Sequence, residues 1–456
     1  MTKLVKFWQF GCWNNLNIGR MEDVINFMKK KLDEETKKRS APDFLIISGD
    51  NYYPGKPSKT IEEKKKDDNT TKKKTIYIKK LRDGLNELPI DINIYMLLGN
   101  HDLETNKGKK DAEKNLYITE SNIEDKKLEN DDCKIIQLEL ETIAHRDRLE
   151  YFFFKSNRIN NTLLLMIDTS IYEQDKEVEF YLPCYEEFFK HNKFYNDKEK
   201  PVASIENLRK YQLDEINKAI NEAKEFITHL IIVGHHPIYQ LKYKIKQKKD
   251  KSETKDKSEN PLDHKSDIQV NFTPVLKEIQ TLLLPTTVYY YLCSDLHLYQ
   301  KGSITMNFKD TNPMIIHQYI VGSGGTELDP RVPPDLVEPD KKYTSKDGSI
   351  TYIFEHEKCE YGFLECIIEK DTAPSFKFMP LETTPILSEL PTQLPLALPL
   401  SKPRARSRAR SLSKPRSRSL SRRARSLSRR ARSVGGKSKK NYKKTQKKNY
   451  RRIVRK

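Results

Sequence analysis

The sequence predicts an α/β fold whose core is closed by antiparallel strands. Apolar runs of strand length alternate with helix-patterned stretches through the first part of the chain, and strand-like runs dominate the later part. In addition, polar residues able to bind metal follow the apolar runs directly. In open α/β sheets that is the edge where ligands are held, outside the carboxyl ends of the strands.

Residues 3–10, rich in Val, Phe and Trp, read as the first strand and run into Gly11-Cys12-Trp13-Asn14. A helix is expected over about 21–38, with Val24, Ile25, Phe27 and Met28 on one side. Residues 44–48 form a second apolar strand, ended by Gly49-Asp50-Asn51-Tyr52-Tyr53. A helix over about 76–88 leads to a third strand at 92–98, ended by Gly99-Asn100-His101-Asp102. Strand-like runs return at 134–139, 150–154 and 162–167, the last followed by Asp168-Thr169. Ile205, Leu208, Leu213, Ile216, Ile220 and Ala223 recur near helical spacing, so 204–226 reads as an amphipathic helix with a core-facing stripe. The strand 230–233 runs into Gly234-His235-His236-Pro237. A helix near 273–283 precedes the strand 288–293, which ends in Ser294-Asp295-Leu296-His297. Strands at 315–321, 349–354 and 361–368 follow, the first turning at Gly322-Ser323-Gly324-Gly325.

Three stretches near 56–74, 103–132 and 243–268 are highly charged and poor in apolar residues, and are expected to be exposed insertions. Prolines at 380, 385, 391, 395 and 399 make 381–400 an extended linker. Beyond it lies a repetitive tail, in which Ser-Arg-Arg-Ala-Arg-Ser-Leu at 421–427 recurs as Ser-Arg-Arg-Ala-Arg-Ser-Val at 428–434. One Leu per repeat buries too little surface for a coiled coil, so 401–456 is expected to be disordered.

Charge divides the chain the same way. Of its 84 Lys and Arg residues, 25 fall in 401–456, which holds no Asp or Glu. The first 400 residues then carry 59 basic and 65 acidic side chains, a net charge of −6. A mildly acidic body with a basic tail points to a polyanionic partner for the tail, nucleic acid foremost, bound through phosphates in a salt-dependent way. The six cysteines do not make a disulfide scaffold, and no CxxC pair is present for a closed structural zinc site. No apolar run reaches the ~20 residues of a membrane span, and the opening apolar stretch is too short for a signal peptide. The expectation is a monomer with no membrane partner, intracellular (cytoplasm or nucleus) or packaged in a viral particle, and not secreted.

Five strand ends thus carry metal-capable residues: Cys12; Asp50 and Tyr53; Asn100, His101 and Asp102; His235 and His236; Asp295 and His297. Taken singly, each has an ordinary reading, such as a turn or a buried cysteine. Taken together, they converge on one edge and suggest a shared metal site. Their order and wording resemble the calcineurin-like metallophosphoesterase superfamily, most closely its purple acid phosphatase branch. The resemblance rests on GDNYY at 49–53, GNHD at 99–102, GHHP at 234–237, CSDLH at 293–297 and GSGG at 322–325. GDNYY is the discriminating motif, because the protein phosphatases of this superfamily read GDxxDRG there.

The resemblance implies a four-layer α/β/β/α sandwich over residues 1–380 and two metal ions of divalent or trivalent charge (Fe, Zn or Mn). Asp50 would bridge them, Tyr53 and His297 would bind the first, and Asn100 and His235 the second. His101 would act as general acid at the leaving-group oxygen, with Asp102 orienting it. A bridging hydroxide would attack the phosphorus of a phosphoester substrate in line, as in an acid phosphatase acting on monoesters. Two positions depart from the pattern. Cys12 stands where a metal-binding Asp is expected, and Asp295 where a metal-binding His is expected. Both can still bind metal, the thiolate as a softer ligand and the carboxylate as a harder one. Two alternatives follow: a catalytically impaired phosphoesterase scaffold that binds or packages nucleic acid, and a phosphodiesterase or nuclease.

Overall fold

The computed structural model describes residues 4–14, 20–53, 83–89, 91–103, 133–195, 204–243, 262–309, 311–337 and 341–382. The chain divides into a unit of Met1–Ile386 and a second of Leu387–Lys456, and every described residue lies in the first. The insertion at 56–74 and the tail 401–456 fall outside the described residues, as do most of 103–132, 243–268 and 381–400.

Strands buried at every residue build the centre. These are β1 (Val5–Phe10), β2 (Phe44–Ser48), β6 (Thr162–Ile167) and β7 (His229–Val233). Continuous apolar runs of this kind suit strands covered on both faces, which is where parallel sheets place them. With β3 (Asn93–Leu97) and β4 (Leu149–Phe152), β1 and β2 form a parallel block. β15 (Gly362–Ile368) and β16 (Ser375–Pro380) add antiparallel beside β1, giving the order β16-β15-β1-β2-β3-β4.

The second sheet repeats the plan. β6 and β7 run parallel with β10 (Val288–Cys293) and β12 (Met314–Val321). Antiparallel neighbours flank them: β5 (Phe154–Ile159) on one side, and β11 (Tyr299–Met306), β14 (Ile350–Lys358) and β13 (Lys342–Thr344) on the other. Val233 pairs with both Met166 and Leu292, so the carboxyl ends of β6, β7 and β10 finish level.

The sheets face each other across a close seam. Gln9 Nε2 donates to Ser48 Oγ at 2.6 Å and to the Cys293 carbonyl at 3.4 Å. Ser48 and Ser294 share a hydroxyl–hydroxyl contact, and the Gly11 amide donates to Val321 O at 3.1 Å. Helices cover the outer faces. α1 (Met21–Lys37) buries Val24, Ile25, Phe27 and Met28, with the Phe27 ring 5.7 Å from Phe363 of β15. On the other side α4 (Ile205–Ala223) packs on β5 and β6, its first turn capped by Ser204 Oγ accepting from Asn207 N at 3.2 Å. The fold is therefore the expected α/β/β/α sandwich.

Several elements differ from the sequence reading. Residues 134–139 belong to a helix, α2 (Lys134–Ile143), not a strand. Its Ile135, Ile136, Leu140 and Ile143 are buried, a spacing of 1, 4 and 3 that lines one helical face. The helix α3 (Asp175–His191), the strands β11, β13 and β16, and the small sheet of β8 (Gln240–Tyr243) with β9 (Leu262–Lys265) were not foreseen. β9 lies inside the stretch expected to be an exposed insertion, where Leu262 is buried. Nor was the disulfide between Cys133 and Cys184, which ties the start of α2 to α3. Such bonds persist mainly in oxidising surroundings, which the expected intracellular location does not by itself supply. No helix among the described residues is long and apolar enough to cross a membrane.

Candidate metal centre

The parallel strands of both sheets deliver their carboxyl ends to one place. Cys12 follows β1, Asp50 follows β2, Asn100–Asp102 follow β3, His235 and His236 follow β7, and Asp295 follows β10. Cys12, Asp50 and Asp295 share one backbone device, a left-handed turn with φ of 53°, 54° and 54°. Residues with a Cβ seldom adopt it, and where they do the surrounding fold must hold them there.

Two glycines make the close approach possible. Gly49 has φ 91°, and a Cβ on it would lie 2.6 Å from His235 Nδ1. A Cβ on Gly99 would lie 2.3 Å from both the amide nitrogen and Oδ1 of Asp50. Side chains at these positions would push the β2, β3 and β7 turns apart.

Asp50 sits in the middle and is buried. Its Oδ1 accepts from the His101 amide at 3.1 Å and lies 3.2 Å from His235 Nε2. Its Oδ2 takes the Tyr53 hydroxyl and stands 3.8 Å from Cys12 Sγ. Burial alone would raise this carboxyl, but positive charge on His235 and His101 outweighs it and holds the group well below the usual carboxylate range. In turn, burial and the Asp50 charge push the Cys12 thiol and the Tyr53 phenol well above their ordinary values.

Both proposed histidine ligands are fixed from behind. A carbonyl oxygen only accepts, so His235 Nδ1 donates to Ser48 O at 2.8 Å, and His297 Nδ1 donates to Glu327 O at 3.0 Å. That leaves each Nε2 facing the centre. His297 Nε2 lies 3.1 Å from the Tyr53 hydroxyl, and His235 Nε2 lies 4.0 Å from Asp295 Oδ1. Burial opposes a charge on His235, but Asp50 outweighs it and raises its pKa; His297, without so close a carboxylate, is lowered by burial.

Asp102 turns inward and binds the neighbouring turn. It accepts from the Asn51 amide, the Asn51 side chain and the Gly99 amide, each at 2.8 Å. Burial and the Asp50 charge raise it to about 6. The His101 ring lies beside Tyr53, with ring centroids 4.6 Å apart, and is half-buried.

Some residues of the centre escaped the sequence reading. His236, metal-capable by sequence but given no role there, is buried, and what went unread is its partners: Nε2 lies 3.0 Å from Glu173 Oε1 and Nδ1 3.2 Å from Thr169 Oγ1. Burial works against its charge, but Glu173 raises it to about 9. Thr169 Oγ1 also accepts from the His235 and His236 amides at 2.9 Å. The adjacent His235 and the strand end at Asp168-Thr169 were visible signals, whereas Glu173 and the Glu327 carbonyl had none.

The residues fit a cation. His235 Nε2 and Asn100 Oδ1 are buried and make no hydrogen bond among the described residues. Donor atoms of Cys12, Asp50 and His235 lie within 4.8 Å of one another, and so do those of His235, His236 and Asp295. Sulfur, nitrogen and oxygen donors around two unsatisfied acceptors are what a bound metal completes and what a purely proteinaceous core avoids. Gly99→Ala should separate the β2 and β3 turns, destabilise the protein by roughly 1–3 kcal/mol and abolish retained metal. Atomic emission on purified protein and a thermal melt check this, and unchanged metal content with an unchanged Tm would contradict it.

A family model described as calcineurin-like phosphoesterase matches residues 5–262, more than half of the chain. Among solved structures, the purple acid phosphatase PPD1 from yellow lupin (Lupinus luteus) seeds is 10% identical with a TM-score of 0.40, covering 84% of this chain and 52% of the lupin one. The chain thus spans about half the length of that protein. GAP50, described as the anchor in the inner membrane complex of Plasmodium, is 13% identical with a TM-score of 0.36, covering 84% of this chain and 87% of its own. No curated protein sequence matches. With its family model covering every turn from Cys12 to His236, the chain belongs to the calcineurin-like phosphoesterases.

Proposed function

We propose that the chain is a metal-dependent phosphomonoesterase of the purple-acid-phosphatase type with a dinuclear centre. The observation that carries this is the convergence of Asp50, Cys12 and His235, with the buried His235 Nε2 turned toward the Asp50 and Asp295 carboxylates. Cys12, Tyr53 and His297 would hold one cation with Asp50, and Asn100, His235 and Asp295 the other. When bound, the cations supply Lewis-acid charge to the phosphoryl oxygens and lower the pKa of water between them.

The chain's own residues do the rest. The Ser48 and Glu327 carbonyls keep the His235 and His297 lone pairs aimed inward. Half-buried Asp295 and His297 leave one side of the centre reachable by substrate. His101 is fixed through its amide to Asp50, and its half-buried ring would carry a proton to the departing oxygen. Asp102, bound to Asn51 and Gly99, holds the turn that presents His101. Monoester preference separates this reading from a phosphodiesterase or nuclease, for which a bis-aryl phosphate would be the better substrate.

A second reading is favoured by one observation. Cys12 and Asp295 stand where the family pattern has an Asp and a His, and burial with the Asp50 charge pushes the Cys12 thiol well above its ordinary value. The chain would then be a scaffold that binds nucleic acid through 401–456. No observation on the described residues bears on that tail, and the proposal rests on its charge.

His101→Ala should lower kcat on an aryl phosphate by about 10²–10⁴-fold while bound metal stays unchanged. Steady-state kinetics with metal analysis measures both, and unaltered kcat would remove His101 from the mechanism. Deleting 401–456 should abolish salt-sensitive binding to single- or double-stranded nucleic acid in a filter-binding titration. Equal binding without the tail would contradict the role given to it.

A further inference from the structure

Cys12 is the residue that most changes what this centre can hold. It is buried at the end of β1, in the same left-handed turn as the carboxylates Asp50 and Asp295. Its amide is fixed to Gly49 O at 3.1 Å, which locks the β1 turn onto the β2 turn. Its Sγ stands 3.8 Å from Asp50 Oδ2, and Sγ, an Asp50 oxygen and a His235 nitrogen all lie within 4.8 Å of one another. A cysteine packed as a small apolar residue would point into hydrocarbon. This one stands beside the Asp50 carboxylate and the buried His235 nitrogen that faces the same carboxylate. Cys293, buried at the end of β10, supplies the contrast: its Sγ donates to the Tyr319 carbonyl at 3.7 Å.

We propose that Cys12 commits the cation it shares with Asp50 to the thiophilic divalent class, Zn²⁺ or Co²⁺, through a metal–thiolate bond. The proposal rests on the metal-dependent reading above and narrows it. On binding, the sulfur–metal bond forms as the S–H bond breaks, and the proton leaves to solvent with no change of oxidation state. Soft sulfur bonds strongly to Zn²⁺ and Co²⁺, and weakly to Mn²⁺ or Mg²⁺, which take oxygen. A mixed sulfur, nitrogen and oxygen donor set also occurs in catalytic zinc sites. An Asp at this position would present only oxygen and would lose that preference.

The test is optical titration of the full chain with Co²⁺, comparing wild type with Cys12→Ser and Cys12→Asp. Wild type should develop a near-ultraviolet sulfur-to-cobalt charge-transfer band together with visible d–d bands. Both variants should keep d–d bands and lose the charge-transfer band. Competition should show Zn²⁺ displacing Mn²⁺ from wild type, with that preference reduced in Cys12→Asp. Visible bands in wild type without the near-ultraviolet band would overturn the proposal, and so would a charge-transfer band that survives in Cys12→Ser. Absence of d–d bands from wild type would defeat the metal-dependent reading itself. The wild-type spectrum decides the matter even if a variant fails to fold.

Discussion

A buried carboxylate sets the terms for this molecule. Asp50 lies at the end of a fully buried strand, and removing such a charge from water costs several kcal/mol unless partners compensate it. The compensation comes from four directions: the His101 amide, His235 Nε2, the Tyr53 hydroxyl and Cys12. Those groups belong to four different turns, from both sheets. Gathering them requires parallel strands that end level, glycines at 49 and 99 where any side chain would collide, and a seam tight enough for Gln9, Ser48 and Ser294 to bond across it. The sandwich can be read as the frame that lets one carboxylate be buried and still answered.

Electrostatics around Asp50 also give meaning to the two departures from the family pattern. A thiolate at Cys12 preserves the charge an aspartate would bring. A carboxylate at Asp295, in place of a histidine, adds one negative charge. Burial would raise Asp295, but the charges of His236 and His235 outweigh it and hold the carboxyl below its ordinary value. His236 owes its charge to Glu173, a residue 63 positions earlier in the chain. The carboxylate at 295 is therefore faced by a buried His236–Glu173 pair.

Much of this was legible in the sequence because strand ends are legible. The runs before Cys12, Asp50, Asn100, His235 and Asp295 are apolar and short, and a glycine precedes four of those residues, Cys12, Asp50, Asn100 and His235. Convergence then followed from sheet topology alone. Other parts were hidden for physical reasons. Lys134–Ile143 carries Ile, Leu and Thr in a short charged stretch whose helical period shows only in its burial. Asp175–His191 contains Pro183 and clustered aromatics that mask its face. The partners that fix His235 and His297 are main-chain carbonyls, which every residue possesses and no sequence pattern marks. Glu173 meets His236 only through tertiary packing.

The central claim is that the groups around Asp50 exist to hold a pair of cations. Anomalous diffraction from crystals of the protein soaked in Zn²⁺ tests it most directly. The account predicts two peaks that share Asp50, one beside Cys12, Tyr53 and His297 and one beside Asn100, His235 and Asp295. No anomalous density at Asp50, in crystals where zinc binds elsewhere on the surface, would contradict it.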